Sequence, residues 1–202
     1  MLILCSNGLT SNKLLEELRK NTSGCKNAAV VVTADNEYKE QNYHVERCVN
    51  ELTSINLFVD ILDIDILPVE KLLDYDIVEF IGGNPFYLLN SIREHTGKAV
   101  LEEIAARKIL IGWSAAAFVF GPTLELVNRY SPEMNFLELK DLTGLALTNV
   151  EVLPHYSRFI ERYERFEEIC SLYEKEKSVK VIRLNDGEAV FIGNGDKVFY
   201  QV

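Results

Sequence analysis

The chain has 202 residues, 48% of them hydrophobic, and carries 31 acidic against 21 basic side chains for a formal net charge of −10. That length suits one domain (1–202) around a buried sheet and is short for two. The acidic excess argues against a nucleic-acid partner, because a phosphate-binding surface needs clustered Lys and Arg to release counterions.

The opening run Met1-Leu2-Ile3-Leu4-Cys5 is apolar, lacks a basic leader, and gives way to Ser6-Asn7-Gly8 too soon for a signal peptide or a membrane span. A soluble protein with no membrane partner is expected. Leu2 to Cys5 is the first of several apolar runs of strand length, followed by Ala28 to Thr33, Leu57 to Leu62, Ile77 to Ile81 and Ile109 to Trp113. Helical patterns alternate with them: Leu14-Leu15-Leu18, about Tyr43 to Leu52, Val69 to Leu73, and Tyr87 to Ala106. This βα rhythm predicts an α/β fold with a doubly wound, mainly parallel sheet between two helical layers. Beyond Ser114 come an irregular stretch from Gly121 to Lys140, a strand from Leu145 to Leu153, and one long helix from about Arg158 to Lys175. Phe159, Tyr163, Phe166 and Cys170 would form the buried stripe of that helix, with Glu161, Glu164 and Glu168 facing water. Short strands close the chain at Val179 to Leu184, Ala189 to Ile192 and Lys197 to Gln201. The last two are joined by a hairpin at Gly193-Asn194-Gly195-Asp196.

Cys5, Cys25, Cys48 and Cys170 are widely spaced, with no C-x-x-C pair and no histidines beside them. Neither a zinc site nor a disulfide framework is indicated, and reduced thiols in a cytoplasm fit best.

The most informative segment is Ile109-Leu110-Ile111-Gly112-Trp113-Ser114-Ala115-Ala116, an apolar strand running into small residues suited to a helix. A serine on such a sharp strand-to-helix turn is presented at the carboxyl end of the sheet, where the free N–H groups of the new helix can stabilise an oxyanion. A helix-capping serine is the competing reading. Phe80-Ile81-Gly82-Gly83-Asn84-Pro85 also ends a strand and opens a helix, with Asn84 as N-cap and Pro85 as first helical residue. If the two strands are neighbours, the amides of Gly83 and Ala115 can point at one oxygen. Of three histidines, His155 follows a strand in a loop beside Pro154. An ordinary loop residue and a base are both open readings there, the base better placed than at the other two. His44 and His95 read as helix or surface residues.

In order and spacing, Gly82-Gly83-Asn84-Pro85-Phe86, Gly112-Trp113-Ser114-Ala115, Pro154-His155-Tyr156 and Asp186-Gly187-Glu188-Ala189-Val190 resemble the peptidase E family of serine peptidases, with cyanophycinases as more distant cousins. The resemblance implies a fold similar to class I glutamine amidotransferases, with Ser114 in place of their cysteine as nucleophile and His155 as general base. It further implies hydrolysis of small peptides that begin with aspartate, through an acyl-enzyme, without metal or organic cofactor. Gly83, Asn84 and Ala115 would serve the oxyanion and substrate, and Arg158 would offer a cation for an acidic side chain. A homodimer is compatible with the chain. The family's orienting aspartate on the loop after the nucleophile helix has no counterpart between Leu124 and Glu133. Glu125, Asn128, Glu133, Asp186 and Glu188 all stand open as substitutes, and a weakly active or inactive ligand-binding member of the same fold is the alternative.

Overall fold

The computed structural model describes residues 1–193 and the backbone of 198–201. Apolar β1 (Leu2–Cys5) leads to α1 (Asn12–Asn21), which Ser11 caps by accepting the Leu14 N–H at 3.2 Å. β2 (Asn27–Val31), α2 (Val45–Thr53), β3 (Phe58–Leu62) and a 3₁₀ turn over Val69–Asp74 precede β4 (Ile77–Phe80). α3 (Pro85–Glu94) and α4 (Lys98–Arg107) then lead to β5 (Ile109–Trp113). The stretch expected as one helical pattern from Tyr87 to Ala106 is thus two helices, broken at His95-Thr96-Gly97, where Thr96 is left-handed.

The main sheet runs in the order β3-β2-β4-β5-β1, all parallel. It is extended by β8 (Ala189–Ile192), antiparallel to β1, and by β9 (Val198–Gln201), antiparallel to β8. The hairpin expected between these last two falls, from Asn194 onward, outside the described residues. Period-two alternation divides each strand between two cores. Ile3, Val30, Ile77 and Ile111 pack under α1 and α2, while Leu4, Val31, Val78 and Leu110 pack under the helices of the opposite face. The doubly wound, three-layer architecture expected from the βα rhythm is the one observed.

After β5 come α5 (Ala115–Phe120), α6 (Glu125–Tyr130), β6 (Glu151–Leu153), α7 (Tyr156–Arg162), α8 (Phe166–Lys177) and β7 (Val181–Arg183). Three expectations change here. Residues expected to be irregular include α6. The strand expected from Leu145 shrinks to β6, because the N–H groups of Gly144, Leu145, Ala146 and Leu147 bond Pro122, Val119, Gly121 and Phe120 carbonyls at 2.8–3.0 Å instead of a neighbouring strand. They thereby satisfy acceptors that the end of α5 leaves open. The single helix from Arg158 to Lys175 is broken between Arg162 and Phe166, with Tyr163 extended and Arg165 left-handed. Tertiary packing overrides helical periodicity there. Phe159, Tyr163 and Phe166 all meet the Tyr130 ring at centroid distances of 5.0–5.3 Å, and the Tyr163 hydroxyl lies 2.8 Å from Ser131 Oγ. β7 pairs with β6 in a separate parallel ribbon and does not join the main sheet.

Asn84 caps α3 through Oδ1, which accepts the Phe86 and Tyr87 N–H groups at 2.9 and 3.0 Å, and its Nδ2 donates to the Met134 carbonyl at 2.8 Å. Pro85 occupies the first helical turn. Asn84→Ala removes all three bonds and is expected to cost about 1–2 kcal/mol of stability, read as a lower denaturant midpoint in urea unfolding at an unchanged slope.

Candidate active site

Strands β4, β5 and β1 are neighbours, so their carboxyl ends bring Gly82-Gly83, Ser114 and Ser6 to one rim of the sheet. This is the rim at which open parallel sheets bind ligands. Ser114 has φ 53° and ψ −111°, a strained conformation for a residue bearing a Cβ. Its hydroxyl makes no capping bond to α5, so the helix-cap reading does not apply. Crowding explains the small neighbours: a Cβ on Gly112 would stand 2.5 Å from the Phe120 ring. Ala115 is the first residue of α5, ahead of the intrahelical hydrogen-bond ladder.

Gly83 has φ 153°, and a Cβ there would meet the Ala34 carbonyl oxygen at 2.2 Å, so only glycine fits this turn. A Cβ on Gly82 would likewise strike the Trp113 ring at 2.6 Å and the Ser114 Cβ at 3.0 Å. The Gly-Gly turn therefore lies against the serine turn, as adjacency of the two strands requires. The Asn84 side chain is fully engaged in capping and in its bond to Met134.

His155 follows β6 in a left-handed conformation (φ 57°) at the head of α7. Its N–H donates to Ser6 Oγ at 2.9 Å, and its Nδ1 lies 2.7 Å from Asp186 Oδ1. Ser6 Oγ in turn donates to the same Asp186 oxygen at 2.9 Å. The Ser114 N–H bonds the carbonyl of Cys5, the residue before Ser6. The serine turn and the histidine are therefore each one hydrogen bond from the same two-residue segment, although no hydrogen bond joins the Ser114 hydroxyl to the ring. With Nδ1–H directed at a carboxylate, Nε2 is left as the proton acceptor. Burial pushes the His155 pKa down, more than the neighbouring Asp186 raises it, and Arg158 adds to the depression.

Of the five candidates that the sequence left open, Asp186 is the one in contact with His155. It sits in the Asn185-Asp186-Gly187-Glu188 turn before β8, which is tied down by Gly187 N–H to Asn7 Oδ1 (2.9 Å), Ser6 N–H to the Glu188 carbonyl (3.0 Å) and Tyr156 N–H to the Leu184 carbonyl (3.0 Å). The other four candidates are engaged elsewhere. Glu125 pairs with Lys177, Asn128 with Asn135, Glu133 with Ser131, and Glu188 with the Asn185 N–H. Arg158, 64% exposed at its side chain, ion-pairs with the second oxygen of Asp186 and not with Glu161 or Glu168. His44, read from sequence as a surface or helix-packing residue, sets its ring edge-on to Trp113 at 5.3 Å, and its pKa is lowered by burial and then by the charges of Arg47, Arg158 and His155. It belongs to the site's surroundings, and no local sequence signal marks it.

All four cysteines are free, and among the described residues no helix is long and apolar enough to cross a membrane. The chain is 31% identical over 186 residues to an uncharacterized peptidase of Listeria monocytogenes, covering 89% of this chain and 87% of that one. It is 24% identical to peptidase E of Salmonella arizonae over 98% of this chain and 88% of that one. The 1.5 Å crystal structure of a candidate peptidase E from Listeria monocytogenes superposes with a TM-score of 0.80 at 27% identity, covering 100% of this chain and 98% of that one. The profile of peptidase family S51 spans residues 2–199. By that match, which takes in every element of the site above, the chain belongs to peptidase family S51 and is a serine-type peptidase.

Proposed function

We propose that the enzyme hydrolyses small peptides with an N-terminal aspartate, with Ser114 as nucleophile, His155 as general base and Asp186 as the residue that orients His155. The observation that carries this reading is the 2.7 Å contact between His155 Nδ1 and Asp186, held to the Cys5-Ser6 segment that also bonds the strained turn of Ser114, whose hydroxyl caps no helix. In the reaction His155 Nε2 takes the Ser114 proton as Oγ attacks the peptide carbonyl. The Gly83 and Ala115 amides receive the developing oxyanion, and the imidazolium returns the proton to the leaving amine. Water then cleaves the acyl-enzyme by the same steps in reverse. Asn84 serves by holding the Gly82-Gly83 turn in place.

The acidic specificity rests on charge. In a chain of net charge −10, Arg158 and His44 stand beside His155. Arg158 uses one edge of its guanidinium on Asp186 and has further N–H donors for a substrate carboxylate. The protein acts in the cytoplasm, without nucleic acid, as a single domain that can pair as a homodimer.

Ser114→Ala should abolish release of amine from aspartyl dipeptides and labelling by a serine-directed fluorophosphonate; turnover persisting in the variant would defeat the assignment. Asp186→Asn should lower kcat by on the order of 10³–10⁴, because the ring loses its tautomer control. Its residual activity should also have a pH limb displaced to lower pH. The sign follows from the base acting only when neutral: rate is lost as pH falls through the His155 pKa, and removing the one group that raises that pKa moves the loss downward. Arg158→Ala should raise KM for aspartyl dipeptides tenfold or more while barely changing KM for the alanyl analogue, measured by initial rates on the paired substrates.

A further inference from the structure

Glu79 departs from the apolar pattern of the sheet. It lies in the middle of β4, in register with Val30 and Ile111, on the face where Ile77, Ile109 and Ile111 pack under α1 and α2. Its side chain is fully buried, and neither carboxylate oxygen has a well-formed hydrogen bond. Glu51 Oε2 and Trp113 Nε1 are likewise buried without a well-formed hydrogen bond, the indole N–H lying within reach of Glu79. Burial, and then the charge of Glu51, push the Glu79 carboxyl up to about 8 against the opposing pull of Arg47, the Trp113 indole and the Cys48 thiol. An uncompensated carboxylate in such a place is costly, and its remedies are a proton, a water or a cation.

Cys48 and Glu51 stand one turn apart on α2, and one donor atom from each lies within 4.8 Å of the others and of a Glu79 oxygen. Arg47 Nη1 holds Glu51 Oε1 at 2.7 Å, which fixes that carboxylate and leaves its buried Oε2 for another partner. We infer that Cys48, Glu51 and Glu79 form a binding site for one divalent cation of the zinc type, separate from the hydrolytic residues. The donor set chooses the metal class. A thiolate with two carboxylates suits a borderline-soft ion in four-coordinate geometry, whereas magnesium and calcium need six or more oxygens. Metal–donor bonds of about 2.0–2.3 Å require the three donors to draw together by roughly an ångström, within the range of side-chain torsions on α2.

Charge also balances. Three anionic donors are offset by Arg47 and a divalent ion, with the thiol proton released to solvent on binding. Of the three donors, Glu51 also lines a surface groove of about 480 Å³ together with Tyr43, Arg47 and Asn50, which is the side from which an ion would approach. The bound ion would join α2 to β4 behind Trp113, the residue before Ser114, over whose ring the Arg47 guanidinium lies at 5.4 Å.

The full chain, stripped with chelator and titrated with CoCl2 alone, should bind one equivalent and develop a near-ultraviolet thiolate-to-cobalt band that ZnCl2 abolishes by displacement. ZnCl2 should also raise the unfolding temperature. Cys48→Ala should remove the band, and Glu79→Gln should weaken cobalt binding at least tenfold, with circular dichroism checking the fold of both. A wild-type protein with no band, a band persisting in Cys48→Ala, or unchanged affinity in Glu79→Gln would each overturn the site and leave Glu79 as a protonated acid or the partner of a buried water. If Cys48→Ala does not fold, wild-type stoichiometry and the Glu79→Gln titration decide. Neither depends on peptidase turnover.

Discussion

The hydroxyl of Ser6 is the joint on which the site depends. It accepts the His155 N–H and donates to Asp186, while the carbonyl of the preceding Cys5 accepts the Ser114 N–H. Three segments far apart in the chain therefore meet at the carboxyl end of β1. The topology makes this unavoidable, since β1 lies between β5, which delivers the serine, and β8, whose preceding turn delivers the aspartate. Register matters accordingly. A slip of one residue in β1 would exchange its two buried faces and turn the Ser6 hydroxyl away from both partners, so the two apolar cores that hold β1 in register also hold the site together.

Electrostatics at this rim run against the character of the whole molecule. The chain is acidic, yet His44, His155 and Arg158 lie close enough to influence one another, and Arg47 adds its charge to His44. The cations among them are already paired, Arg158 with Asp186 and Arg47 with Glu51. The same arrangement keeps both histidines neutral to lower pH than usual. For His155 this favours a proton acceptor, and the carboxylate of Asp186 limits how far burial can depress it.

Much of this was legible in the sequence because it is local. The strand-to-helix junctions at Ser114 and at Gly82-Gly83-Asn84 are written as apolar runs ending in small residues, and the Asn84 cap and Pro85 follow from their own chemistry. What was not legible depends on pairing over distance. Asp186 competes on paper with four other candidates because nothing near it reveals that β8 lies antiparallel to β1 and brings its turn to Ser6. The break after Arg162 escapes the periodicity because its cause, the Tyr130 ring, comes from another helix. The stretch before β6 looks like a strand because its alternation serves the end of α5 instead.

Trp113 links the two chemical centres. Its backbone ends β5 and sets the strained turn of Ser114, its ring packs against the Gly82 turn on one side, and its indole N–H and Arg47 contact reach the Glu79 cluster. α2 carries Arg47, Cys48 and Glu51 and is preceded by His44, so one short helix touches both the buried acidic cluster and the rim of the site. A cation or proton that neutralises Glu79 therefore acts on the same indole that supports the serine turn. An ion at the proposed site would tie α2 to β4 directly behind the residue that precedes Ser114.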